Sequence, residues 1–147
     1  MTLGQLQKKF PEATLAAWHQ HSNGGGWVQN TASVFETGYV GPDALVFGYA
    51  TVFGNARVFG NAQVHGNAQV HGYAQVFGNA SCRVYGNAKV YGNAQVYGYA
   101  LVSDNAQVYG YAQVFGDARV SDDARVSDDA QVSDDAQVSD DARVGGK

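Results

Sequence analysis

A six-residue phrase recurs from Val46 to Val144 almost without interruption, and no other feature restricts the fold of this 147-residue chain so tightly. It reads VFGYAT, VFGNAR, VFGNAQ, VHGNAQ, VHGYAQ and VFGNAS, then VYGNAK, VYGNAQ and VYGYAL, and closes on VSDNAQ, VYGYAQ, VFGDAR and copies of VSDDA followed by Arg or Gln. In Ala-x-Val-x, alternation places Ala and Val on one face and their neighbours on the other, as in a short strand. The two residues that follow, Gly-Asn, Gly-Tyr or Asp-Asp, tolerate positive φ and tight bends. Each hexad therefore reads as a strand of about four residues and a corner. A single such strand has too little apolar surface to stand alone, so successive turns of chain must stack. A helix is excluded, because a period of six does not keep one face of a helix with about 3.6 residues per turn buried.

The phrase V-x-G-x-A-x resembles the hexapeptide repeat of bacterial transferases, the left-handed parallel β-helix, and the resemblance runs from Val28 to Val144. It implies an all-β triangular prism with three hexads per coil, Val and Ala filling the interior and a tight turn at each corner. The left hand of the crossover, an exception to the usual right-handed rule, is likewise what the resemblance implies. The segment Gly24-Gly25-Gly26-Trp27-Val28 leading into hexads is similar to what hexapeptide-repeat proteins of phages and prophages show.

Length agrees with one domain of about six to seven coils, roughly 30 Å of prism at ordinary strand spacing. Residues 1–26 read as a helical N-terminal cap and 27–147 as the β-helix. Thr2-Leu3-Gly4-Gln5 fits a capping box, with Leu6 and Phe10 at helical spacing. Pro11 opens a second expected helix, Glu12 to about His21, with Leu15 and Trp18 on one side, which Asn23 and the glycines end. Repeat arrays need end caps, so a lid over the first coil is the favoured reading over a docking helix for a partner. The early hexads VQNTAS, VFETGY and VGPDAL are degenerate, as terminal repeats are. The far end runs out at Val144-Gly145-Gly146-Lys147 without a recognisable lid.

The residue after each valine is expected to point outward. At three hexads per coil these residues align in columns: Phe59, Phe77, Tyr97 and Phe115; Phe47, His65 and Tyr85; Phe53, His71, Tyr91 and Tyr109. Such ladders stabilise neighbouring coils, and an apolar aromatic strip also marks an interface. Rows on three faces exceed what one exposed monomer displays, so a homo-oligomer, trimer or dimer, is expected. Between Val76 and Val84 the period gains two residues, which leaves Ala80, Cys82 and Val84 able to face inward. Cys82 is read as a small buried apolar residue.

Charge divides the chain. Residues 103–147 hold ten Asp against three Arg and one Lys, a balance of −6, whereas residues 1–102 stand at +2. The pairs Asp122-Asp123, Asp128-Asp129, Asp134-Asp135 and Asp140-Asp141 fall at corners and stack about every 5 Å. In water each like-charge contact costs about 1 kcal/mol or less, so soluble corner chemistry is one account of them. Carboxylate rows that imitate nucleic-acid phosphates and engage a basic protein surface are a second. Ca²⁺ held between coils is a third and the weakest, since no known calcium-repeat spacing is present. Nucleic acid itself does not suit an acidic surface as a direct partner. The single Cys allows no internal disulfide, and the start MTLGQLQKKF lacks the apolar run of a signal peptide. No stretch reaches membrane-spanning length. A cytoplasmic protein is expected, bacterial or in the host if phage-encoded.

The transferase resemblance raises an alternative, an acyltransferase that uses acetyl-CoA or another acyl-CoA with His65 or His71 as an inter-subunit general base. Both histidines replace Phe or Tyr in the same slot, and no acceptor-binding loop accompanies them, so they are read as ladder members. A zinc site of three histidines is disfavoured, because His65 and His71 fall on adjacent faces and His19 and His21 point apart. The expected function is non-catalytic: a binding or structural β-helix without cofactor or metal, acting as an inhibitor of a host nucleic-acid or defence protein through its acidic and aromatic surfaces.

Overall fold

Hexads wind into three stacked parallel sheets. The computed structural model describes residues 1–145, so the last residues of the expected far end, Gly146 and Lys147, lie outside the described residues. Of 21 short strands, eight belong to the first sheet, seven to the second and six to the third. Apart from the first strand, each sheet is built from every third strand, so Val28, Val46, Val64, Val84 and Val102 lie in one register along the first sheet. The result is a β-solenoid of about seven turns.

The alternation explains the interior. Valines from Val40 to Val126 and alanines from Ala44 to Ala124 that keep the period have no exposed surface. Two such side chains per hexad fill a narrow core. Assigned strands are mostly two residues long, shorter than the four expected. The ladder nonetheless extends past them, because the N–H of Phe35 donates to the Val52 carbonyl and that of Ser33 to the Ala50 carbonyl. At each corner a four-residue turn closes, as where the Ala112 N–H donates to the Tyr109 carbonyl at 3.3 Å. Towards the far end the core opens: Val132 and Val138 are 4% and 8% exposed, and Ala136 and Ala142 are exposed.

The N-terminal segment departs from the expected pair of helices. Helix α1, Leu3–Lys9, forms with the expected capping box, Thr2 accepting from the Gln5 N–H and Gln5 returning a bond to the Thr2 N–H. No second helix follows. Trp18–Gln20 is instead strand β1, paired antiparallel with β2, Trp27–Gln29. Edge pairing outweighs the weak helical signal of residues 12–21, because β1 satisfies the open edge of the first coil. Asn30 holds it there, donating from its N–H to the Ala17 carbonyl and from its amide to the Ala16 carbonyl. Leu15, expected beside Trp18 on one helical face, is left 69% exposed.

The lid is thus a hairpin and not a helix. Its return arm covers a second edge, where the Gly26 N–H donates to the Val40 carbonyl and the Val40 N–H to the Asn23 carbonyl. A Cβ on Gly26 would lie 2.3 Å from the Gly41 carbonyl oxygen, so this close approach requires glycine. Helix α1 lies on the outer face of the first sheet, where Leu6, Ala13 and Trp18 bury Trp27 and Leu45 in a second small core. The Trp27 indole N–H donates to the Met1 carbonyl at 2.8 Å, and the Met1 amine meets Asp43 at 3.2 Å.

Candidate functional site: aromatic ladders, acidic corners and a groove beside the cap

The three expected columns are present as stacks of nearly parallel rings. Phe59 and Phe77 lie 4.7 Å apart, Phe77 and Tyr97 5.0 Å, and Tyr97 and Phe115 5.0 Å, with interplanar angles of 4–5°. Phe53, His71, Tyr91 and Tyr109 repeat the pattern on another edge. Spacing is set by the coil repeat, so the rings pile along the solenoid axis and show their edges to solvent. This geometry has a chemical consequence. A sugar or nucleobase stacks on a ring face, and inside these columns the faces are already covered by the neighbouring rungs.

The histidines are rungs of the same ladders. His65 sits between Phe47 at 4.6 Å and Tyr85 at 5.1 Å, and His71 between Phe53 at 4.5 Å and Tyr91 at 5.0 Å. Burial lowers the pKa of each, and a cation adds to it, Arg83 for His65 and Lys89 for His71. Both imidazoles are therefore neutral at pH 7. They follow different strands, Gln63–Val64 and Gln69–Val70, in different sheets. Among the described residues no three His, Cys, Asp or Glu side chains converge as a metal-ligand set.

The acidic corners have a backbone reason. Asp104, Asp122, Asp128, Asp134 and Asp140 all adopt φ of 56–58°, the left-handed conformation that Gly48, Gly66 and Gly110 take elsewhere. Asp104 accepts from the Asp122 N–H at 3.2 Å, and Asp122 from the Asp140 N–H at 3.1 Å. Asp104 and Asp122 thus tie adjacent coils together through their carboxylates. The second residue of each Asp-Asp corner, Asp123, Asp129, Asp135 and Asp141, stands exposed. Tyr49, Tyr73, Tyr99 and Tyr111 occupy that same second corner position and are 52–69% exposed. Sequence reasoning passed over these tyrosines because it treated Gly-Tyr as corner chemistry alone.

The two-residue insertion follows the expectation at Cys82 and Val84 and departs from it at Ala80. Ala80 and Ser81 are exposed in a lengthened corner, while Cys82 takes the inward alanine slot and Val84 stays in register. A corner can absorb extra residues without breaking the inter-coil ladder, whereas a side cannot. Burial pushes the Cys82 thiol up to about 12, so it is no nucleophile at neutral pH. Gly78 opens this corner at φ 118°, where a Cβ would lie 2.6 Å from the Gly98 nitrogen.

The outward position before each valine distinguishes the three faces. The first sheet carries Arg83 and Arg119, and the second carries Lys89, Arg125 and Arg143. The third carries Gln75, Gln95, Gln113 and Gln131 in succession and is bordered by the Phe59–Phe115 column. Below that run, the Arg57 guanidinium lies over the Tyr39 and Phe59 rings.

Fold and surface together define a β-solenoid repeat protein. Its hexads are similar to the YdcK beta solenoid repeat, whose model matches residues 50–66, 83–98, 94–110, 112–128 and 118–134, just under half of the chain. The matched segments fall on both sides of the Ala80–Ser81 insertion. No curated protein matches the chain.

Proposed function

We propose that this chain is a non-catalytic β-solenoid of the hexapeptide-repeat type that works by binding, as a homo-oligomer, with its acidic corners turned to a second protein. The observation that carries this reading is the partition of its surface. One face from Gln75 to Gln131 is free of charge and edged by aromatic rings, while exposed carboxylates gather at the corners of the last coils. Neutral, flat surface is cheap to desolvate against another copy. Regular carboxylates suit the basic groove of a nucleic-acid-binding or defence protein, the role of a phage-encoded inhibitor.

Competition tests the acidic part. The chain is titrated into a complex of duplex DNA and a basic nucleoid protein, beside a variant whose four Asp-Asp pairs between Asp122 and Asp141 become Gly-Asn. Gly-Asn is the corner this chain already uses in earlier coils, so the variant keeps the fold. Displacement of DNA by the wild type alone is expected; equal behaviour of the two proteins contradicts the reading.

Acyl transfer from acetyl-CoA is the second reading, and His65 carries it, as a neutral imidazole at the rim of a groove with Arg83. It demands a thermal shift with acetyl-CoA that disappears in His65→Phe.

A further inference from the structure

Three departures from the regular phrase meet at one place. The end of α1, the lengthened corner and the first histidine rung border a groove of about 470 Å³ on the outside of the first sheet. Lys9, Gln63, His65 and Arg83 line it, with the Phe10 and Phe47 rings as an apolar wall and Ala80 of the insertion at its edge. Phe10 and Phe47 meet edge to face at 4.9 Å, which fixes that wall.

Its cations lack acidic partners, and Arg83 donates from Nε to the Ala80 carbonyl at 3.4 Å. The ion pair between the Met1 amine and Asp43 is the only one among the described residues, so neither Lys9 nor Arg83 has a carboxylate within ion-pair distance. Gln63 is only 8% exposed, yet its amide makes no hydrogen bond to any described residue. No side-chain nitrogen or oxygen among the described residues is sealed from solvent without a partner, so that amide reaches water through the groove. Gln137, outward on the same face, is exposed, whereas Gln63 shares its groove with Lys9 and Phe10. Two unpaired cations, an imidazole and a carboxamide surround one opening with no acidic residue in its lining.

We propose that this groove binds a phosphate monoester carried on an apolar body, the phosphate held by Arg83 and Lys9 with Gln63 and His65 donating to its oxygens. Two fixed positive charges match a phosphate dianion better than a carboxylate, and the guanidinium fork fits its oxygens. Phe10 and Phe47 receive the apolar part. The site needs no acyl donor and no second copy, and it shares only His65 and Arg83 with the acyl-transfer reading.

Calorimetric titration with phenyl phosphate tests it. Arg83→Gln places in the site the residue that Gln63 supplies one coil below, and His65→Phe the ring that Phe47 supplies, so both variants keep the fold. Arg125→Gln removes an equal charge from the second sheet. The expected result is binding weakened roughly tenfold by Arg83→Gln and about threefold by His65→Phe, with less than about twofold change in Arg125→Gln. Benzoate should bind more weakly than phenyl phosphate to the wild type. No binding of phenyl phosphate up to about 10 mM, where a Kd carries only a few kcal/mol, overturns the site. Equal weakening by Arg125→Gln overturns it as a general charge effect, and equal affinity for benzoate overturns the phosphate class.

Discussion

Asp122 and Gly66 hold the same left-handed corner backbone by different means. Glycine meets no steric penalty there, whereas Asp122 offsets its penalty with a bond from its carboxylate to the next coil. The switch is coupled to the preceding residue: in the hexads from Val46 onward an aromatic or histidine precedes each corner Gly, and a Ser each corner Asp. Histidine inside the ladders has a thermodynamic signature of its own. Burial first, and then Arg83 or Lys89, lowers the pKa of His65 and His71 below the ordinary 6.5. The unfolded chain therefore binds these protons more tightly than the folded one. Their contribution to stability is complete above pH 6.5 and declines as pH falls through that value towards the lowered folded pKa. Urea unfolding at pH 7.5 and pH 5 should show a loss on acidification that is smaller in a His65→Phe, His71→Phe variant. An unchanged pH dependence in that variant would show that the rungs do not titrate as buried groups.

At the scale of the element, the coil was legible and its interruptions were not. Alternation of Ala and Val fixed which side chains face inward, and the three-hexad coil aligned His65 on Phe47 and Phe77 on Phe59. Residues 12–21 satisfy a helical pattern locally through Trp18 and Leu15, while β1 gains its hydrogen bonds from β2 and from Asn30. Local periodicity carries no information about an open sheet edge. The groove was hidden for a similar reason, since Lys9, Gln63 and Arg83 become neighbours only through the fold. The insertion is legible in the period, but alternation alone lets Ala80 face inward, whereas the structure exposes it at a corner. Its location makes a direct demand. Deleting Ala80 and Ser81 restores the hexad with Cys82 already in the alanine slot. The shortened protein should keep its circular dichroism spectrum and unfold within about 1 kcal/mol of the wild type, as tolerated corner changes do. A loss of several kcal/mol would mean that the long corner is required by the stack.

Over the whole molecule, the repeat distributes charge with the same regularity as it distributes valine. Balance falls from +2 over residues 1–102 to −6 over 103–147, while the third face stays neutral through four coils of glutamine. The aromatic columns do not explain this neutrality, because they also border the two faces that carry Arg and Lys. The self-association proposed above, placed on the third face, accounts for it. The most direct measurement is mass in solution by light scattering, for the wild type beside Gln95→Lys on the third face and Gln69→Lys on the second. The account predicts a wild-type dimer or trimer of the 15.6 kDa chain, dissociated by Gln95→Lys and left intact by Gln69→Lys. A wild type that stays monomeric, or an oligomer indifferent to a charge at Gln95, would contradict it.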